Sequence, residues 1–354
     1  MSGASASIAM NKANSEWRIA NSGKGRGAFY SLLAIRYSLL ALAVLAAAPL
    51  TAHAQWPQRP VKVVVPFAAG GNIDVMGRLA ASRLSEALGQ QFVVENRVGG
   101  NGVIAAEAVA RAAPDGYTLL WAPTSVIATF PAITKVPYDP VKDFVPISLF
   151  SVAPQVLIVN PKFPADNVAE LVAHAKAQKE KLVYAGGGGP GSSSNLIMAT
   201  FLRRAGLEMS NVSYRGTAPA LTDVIAGHIP MMFIPISEAL PQARAGSIRM
   251  LAVSSAMRSR AAPDVPTLAE QGFPGFHMVS WTGMMAPAGT PRDIIERMAA
   301  ELARALKDAS FVEHIEKAGA EPAADASPAE FAAFIAKEIA LWGEAVKTAG
   351  VTLN

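Results

Sequence analysis

The sequence of 354 residues contains no cysteine. Disulfides, thiolate nucleophiles and thiolate metal sites are therefore excluded, and the fold must stand on its apolar core. Charge is sparse too, with Asp, Glu, Lys and Arg at 16% and aromatic residues at 7%. The five histidines are scattered and form no His-x-x-x-His pair, so no metal motif is present. G-x-S-x-G does not occur, which removes one signal of a serine nucleophile. A hydrolase triad assembled from distant residues stays open. No apolar run reaches the ~20 residues that a membrane-spanning helix needs.

The first 54 residues stand apart. Residues 1–37 are polar and carry Lys12, Arg18, Lys24, Arg26 and Arg36; Ser38–Leu50 is apolar and uncharged; Ala52-His53-Ala54 is an A-x-A site. Basic region, apolar run and small-residue site together predict an export signal cleaved near Ala54. The basic region is longer than usual, which points to a start downstream of Met1. Of the 31 basic and 27 acidic residues, five basic and one acidic (Glu16) lie in this leader, so the remainder carries 26 of each. The basic charge excess thus belongs to the leader, and no footprint for nucleic acid remains. The expected mature protein is soluble and outside the cytoplasm, in the periplasm of a cell with two membranes. Its roughly 300 residues suggest two domains.

Along the mature chain, short β-branched runs alternate with helical patterns. VKVVVPF (Val61–Phe67), QFVVENR (Gln91–Arg97) and YTLLWA (Tyr117–Ala122) read as strands, with helices over Ile73–Leu88 and Val103–Ala113 between them. This order predicts an open parallel sheet. The alternation is interrupted by a long extended run at Val145–Pro161, split by Pro154, and resumes with strands at Lys181–Ala185, Asn211–Tyr214, Ile229–Pro235 and Arg249–Ser255. A second extended run, Val279–Pro287, leads to a helical end. The expected architecture is α/β with two lobes: residues 55–153 plus 280–354 form one, residues 154–279 the other, and two hinge crossings join them. A ligand cleft is expected between the lobes, beyond the strand C-termini.

One stretch demands a reason. After KLVYA the chain reads GGGGPGSSS before the helical NLIMATF. A flexible linker is disfavoured because regular structure bounds it on both sides. Gly186, Gly188 and Gly191 satisfy G-x-G-x-x-G, but the next strand, Asn211–Tyr214, is followed by Arg215 rather than by the acidic residue a dinucleotide site needs. A phosphate-binding P-loop is excluded because no Lys-Ser/Thr follows the glycines. The remaining reading is an anion cradle: a helix N-terminus has unpaired N–H groups, glycine lets a ligand approach them, and serine hydroxyls add donors. Similar strand-to-helix turns occur at Gly70-Gly71-Asn72, with Asn72 a candidate N-cap and Asp74 in the first turn, at Thr124-Ser125, and at Gly216-Thr217.

These residues sit in segments that resemble the extracytoplasmic receptors of tripartite tricarboxylate transporters, the Bug proteins. The resemblance runs from Trp56 to the C-terminus through WPQRPVKVVVPFAAGGNID, LGQQFVVENRVGGNG, APDGYTLLWAP, SYRGTAPALTDVIAGHIPMMF, PDVPTLAEQGFPGF and WTGMMAPAGTP. It implies a type II periplasmic binding protein that closes on a small carboxylate, held largely by backbone amides and ordered water. It implies no catalysis and no cofactor or metal. The partners it implies are transporter membrane subunits, or a sensor protein in a signalling variant, with the receptor itself a monomer. Ala69, Gly70, Gly71, Asn72 and Asp74 are the candidate ligand residues of one wall. Gly191, Ser192, Ser193, Asn195, Gly216 and Thr217 are those of the other, with Ser125 near the mouth. Asp74 would repel a carboxylate and is assigned to the helix start or to a donor on the ligand. Two departures stand out. Ala69 lies where many members have Pro nearby, and the second loop carries Pro190 inside it and Asn195 where His is frequent.

Overall fold

Residues 56–351, apart from 179–180, 188–190, 215 and 324–326, are described by the computed structural model. The expected export signal, Gly188, Pro190 and Arg215 lie outside the described residues.

The first half begins β1 (Val61–Val65), α1 (Asn72–Leu88), β2 (Phe92–Asn96), α2 (Val103–Ala110) and β3 (Thr118–Pro123). β1 lies between β2 and β3 and is parallel to both, as the sequence order predicts. A π-helical turn (Ser125–Thr129) and α3 (Phe130–Ile133) then lead to β4 (Phe144–Ala153). The second half comprises β5 (Gln155–Val159), α4 (Val168–Ala177), β6 (Val183–Gly187), α5 (Ser193–Ala205), β7 (Ser210–Tyr214), α6 (Thr217–Ala226), β8 (Met231–Pro235), α7 (Ile236–Arg244) and β9 (Arg249–Val253). The chain returns through β10 (Ser280–Pro287), α8 (Arg292–Ala305), α9 (Ala309–Lys317), β11 (Glu321–Pro322) and α10 (Pro328–Ala349).

The first sheet has the order β11-β4-β10-β3-β1-β2. It is mixed rather than purely parallel, because β10 inserts antiparallel between β3 and β4. In the second lobe β5 pairs antiparallel with β8 and β9, and β6 pairs in parallel with β7. The first long extended run of the sequence thus spans β4 of the first sheet and β5 of the second, and the other run is β10 of the first sheet.

Both faces of each central strand are covered, which is why the strand sequences read as nearly unbroken apolar runs. Val63 and Val65 pack with Trp121, Phe150 and Met284 under α1 and α8. Val64, Leu120 and Ala122 pack with Trp281 on the opposite face. The second lobe repeats the device: Leu157, Val159 and Phe233 face Leu196 and Phe201 of α5, while Val156, Ile158 and Ile234 face α6 and α7. This is the period of two along a strand.

The final helix does more than the sequence reading assigns to it. α10 starts at a capping box formed by Ser327 and Glu330. Its first part buries Phe331 and Ile335 in the first lobe's core. Its last part buries Trp342, Ala345 and Val346 with Leu196 and Phe201 of the second lobe. So α10, expected wholly in the first lobe, packs on both.

Glu338 sits between these two parts and is 2% exposed. Its Oε2 accepts the indole N–H groups of Trp281 at 2.9 Å and Trp342 at 2.7 Å. Burial pushes its carboxyl up to about 7, and the two indole bonds offset only part of this. In the unfolded chain it titrates near the ordinary 4.5. The folded form therefore keeps a proton that the unfolded form has lost between these pH values, so stability falls as pH rises through that window and levels off above it. The loss is roughly 3 kcal/mol. Glu338→Gln keeps an acceptor for both indoles and removes the charge. It is expected to raise the unfolding midpoint at pH 8 by several degrees and leave it nearly unchanged at pH 5, as thermal unfolding at the two pH values would show.

Candidate functional site

A cavity of about 400 Å³ opens beyond the C-terminal ends of β3 and β6. The strand-to-helix turns after β1, β3 and β6 all reach it, through Phe67, Asn72 and Ile73, through Thr124 and Ser125, and through Gly191, Ser192 and Ser193. Strand residues Ser151, Ser280, Trp281 and Thr282 form its floor, and Phe130 and Ile133 of α3 form an apolar side. Among the described residues, none that lines it is ionisable. The described lining can therefore engage an anion through hydroxyls, amides and water.

Close approaches constrain the described ends of the second-lobe loop. Gly186 and Gly187, expected in the loop, are the last residues of β6. A Cβ on Gly186 would lie 2.3 Å from Asn211 Oδ1, and one on Gly187 3.1 Å from the Thr217 Cα. These two glycines serve strand packing rather than ligand access. Ser192 is the N-cap of α5, its hydroxyl accepting the Asn195 N–H at 3.3 Å. Ser193 follows as the first helical residue and its hydroxyl accepts from Gln155 Nε2 at 2.8 Å and from Ser280 Oγ at 3.0 Å. Gly191 faces Ile133 across the cavity, and a Cβ there would come 2.8 Å from its Cδ1.

On the first-lobe side, Gly71 rather than Asn72 occupies the N-cap position of α1, and the Asn72 side chain donates to the Ala318 carbonyl at 2.6 Å. Asp74 is buried away from the cavity. Its carboxylate accepts from the Gly70 N–H at 2.9 Å, Arg78 Nε at 2.9 Å and Asn96 Nδ2 at 2.7 Å. Burial alone would push this carboxyl up, but the bonds from Arg78, Gly70 and Asn96 together outweigh it and hold it below its ordinary range. Asp74 therefore ties the loop to the helix start, which is the first of the two roles the sequence suggests for it.

Of the candidate residues, Asn72, Ser125, Gly191, Ser192 and Ser193 meet at the cavity. Ala69, Gly70 and Gly71 lie in the turn behind Asn72, outside the lining. Asn195 is buried below the serines, its Oδ1 accepting from the Tyr184 hydroxyl at 2.9 Å. Gly216 caps α6 and Thr217 packs behind Gly187, also outside the lining. Lining residues absent from the sequence candidates include Phe67, Phe130, Ile133, Ser151, Ser280, Trp281 and Thr282. A signal exists for three of them: Ser151, Ser280 and Thr282 are small polar residues in otherwise apolar strands. Phe130 and Ile133 carry none, since apolar residues on a short helix read as core.

Residues 76–351 match the family model described as tripartite tricarboxylate transporter family receptor. The chain belongs to this receptor family. Protein BugT of Bordetella pertussis is 36% identical over 325 residues, covering 91% of this chain and 98% of BugT. The structure of R. palustris Rpa4515 with adipate superposes with a TM-score of 0.70 at 36% identity, covering 84% of this chain and 99% of that one. MatC (Rpa3494) from Rhodopseudomonas palustris with bound malate gives a TM-score of 0.67 at 33% identity, covering 82% and 100%. The fold is that of a type II periplasmic binding protein, and this member of the receptor family is a solute receptor rather than an enzyme. Receptors of the family are periplasmic and work with a transporter.

Two outcomes follow from the geometry. Gly191→Val fills the gap to Ile133, so it should weaken solute binding about tenfold or more in calorimetry while leaving the unfolding midpoint of the free protein within a few degrees. Asp74→Ala leaves three donors without their acceptor and should lower stability by about 2–4 kcal/mol in urea unfolding at pH 7. The difference from wild type should shrink as pH falls toward the carboxyl's own titration range, because its lowered folded value makes its contribution present above the ordinary 3.8 and lost below.

Proposed function

We propose that this receptor captures a small carboxylate between its lobes and presents the closed form to the membrane subunits of a transporter. The observation that carries the reading is a cavity whose described wall presents hydroxyls and helix-start N–H groups and no ionisable side chain. Ser192 and Ser193 head α5, where helix N–H groups and the positive end of the helix dipole favour an anion. Ser125 adds a hydroxyl from the opposite lobe. The volume of about 400 Å³ suits a ligand the size of malate or adipate, the acids bound by the two related structures.

In this reading Asn72, Ser125, Gly191, Ser192 and Ser193 contact the solute or its waters. Ala69, Gly70, Gly71, Asp74, Asn195, Gly216 and Thr217 hold the loops that carry them. The lobes divide at Pro154 and just before Ser280, and closure turns about these crossings. The protein reaches the periplasm by its leader, loses it near Ala54, and acts as a monomer. Nothing specific favours a signalling role or hydrolysis.

The test is thermal unfolding of the purified protein against malate, adipate and aromatic acids, each beside its neutral amide. Binding to the folded state alone stabilises by about 2.7 kcal/mol at a hundredfold excess over Kd. One acid is expected to raise the midpoint by several degrees while its amide does not. If amides and acids act alike, or if none acts after the protein is unfolded, dialysed and refolded, the carboxylate reading fails.

A further inference from the structure

Gln155 is the first residue after Pro154, where the chain leaves the first sheet, and it is 3% exposed. Its main chain is locked to the return path: Gln155 N–H donates to Ser254 Oγ at 3.1 Å, its carbonyl accepts the Ser254 N–H at 2.8 Å, and Ser254 Oγ donates to the Met278 carbonyl at 2.6 Å. Its side-chain amide bridges two serines of the ligand loop. Oε1 accepts from Ser194 Oγ at 2.8 Å and Nε2 donates to Ser193 Oγ at 2.8 Å. From the second crossing, Ser280 Oγ donates to the same Ser193 oxygen at 3.0 Å.

A serine hydroxyl has two lone pairs and one proton. Gln155 and Ser280 occupy both lone pairs of Ser193. The capacity left to it is donation, and Ser193 lines the cavity. We propose that Gln155 is a positioning residue: with Ser280, it holds the Ser193 hydroxyl as an obligate donor and so makes this point of the cavity select a carboxylate oxygen over an amide N–H. This deepens, and rests on, the carboxylate reading above. The selection is built from neutral groups, and both are anchored at the crossings between lobes, so a ligand bonded to Ser193 bears directly on the two segments about which closure turns.

The test is a double-mutant cycle on adipate and malate affinity, read by calorimetry, with Gln155→Glu, Ser193→Ala and the double variant. An ionised Glu side chain only accepts, so it draws the Ser193 proton away from the cavity. A hydrogen bond to a charged group corresponds to roughly tenfold to hundredfold in affinity. Each single variant is expected to lose about tenfold or more, and the double variant no more than about twofold beyond the weaker single. Simple repulsion between the new carboxylate and the ligand would instead persist in the Ser193→Ala background, and losses that multiply overturn the proposal. So does unchanged affinity in Gln155→Glu. If that variant folds poorly, Gln155→Met carries the same cycle: it removes the donor without adding charge, and its few-fold loss should vanish once Ser193 is Ala, whereas an undiminished loss there overturns the proposal. The wild-type titration is the control for the carboxylate reading itself, so failure of that reading shows in wild type and failure of this one only in the variants.

Discussion

Pro154 and Ser280 mark the two passages on which the arrangement depends. Ala153 pairs with Ser280 in the first sheet, and Gln155 pairs with Pro235 in the second. Pro154 between them has no N–H to extend either ladder. An extended chain is therefore shared by two sheets and divided at a residue that belongs to neither. That division creates a cleft whose floor is made of strand residues and whose walls are turns from both lobes. α10 then bridges the lobes, with one aromatic cluster in each core and Glu338 between them. The ion pair of Arg260 with Glu316 and the bond between Ser259 and Glu321 add polar contacts where α9 and β11 meet the second lobe.

Charge is kept out of the described cavity wall and used to brace what surrounds it. Asp74 is the clearest case: an acidic side chain beside a helix start would oppose an anion if it faced the cleft, yet here it takes three hydrogen bonds and ties Gly70, Arg78 and Asn96 together. The anion is left to dipoles and hydroxyls. Neutral donors cost less to desolvate than a charged side chain, and when held in fixed orientation they need little reorganisation on closure. Ser193 has both lone pairs engaged by the protein, through Gln155 and Ser280, and Ser192 accepts the backbone N–H of Asn195.

Much of this was legible in one dimension. Helices and strands form where apolar periodicity and glycine stops place them; α1 ends at Gly89 and α5 at Gly206, both in the left-handed conformation that glycine tolerates. The serines after the glycine run were readable as an anion cradle because a helix start has unpaired donors whatever surrounds it. Less legible was the division of labour among the glycines, since Gly186 and Gly187 answer to Asn211 and Thr217, residues on the following strand and helix. Phe130 and Ile133 were invisible as wall residues for a related reason: an apolar side chain has the same local signature whether it meets a core or a cavity.

The sequence by itself determined the element order, the lack of disulfide or thiolate chemistry, the extended crossings and the loops rich in small residues, because these depend on neighbours a few positions away. Only the tertiary structure decided which turns meet, that Asp74 faces inward, that α10 serves both lobes and that Gln155 and Ser280 converge on Ser193. Such pairings join residues tens to more than a hundred positions apart, and a hydrogen bond depends on distance and angle in space, which spacing along the chain does not carry.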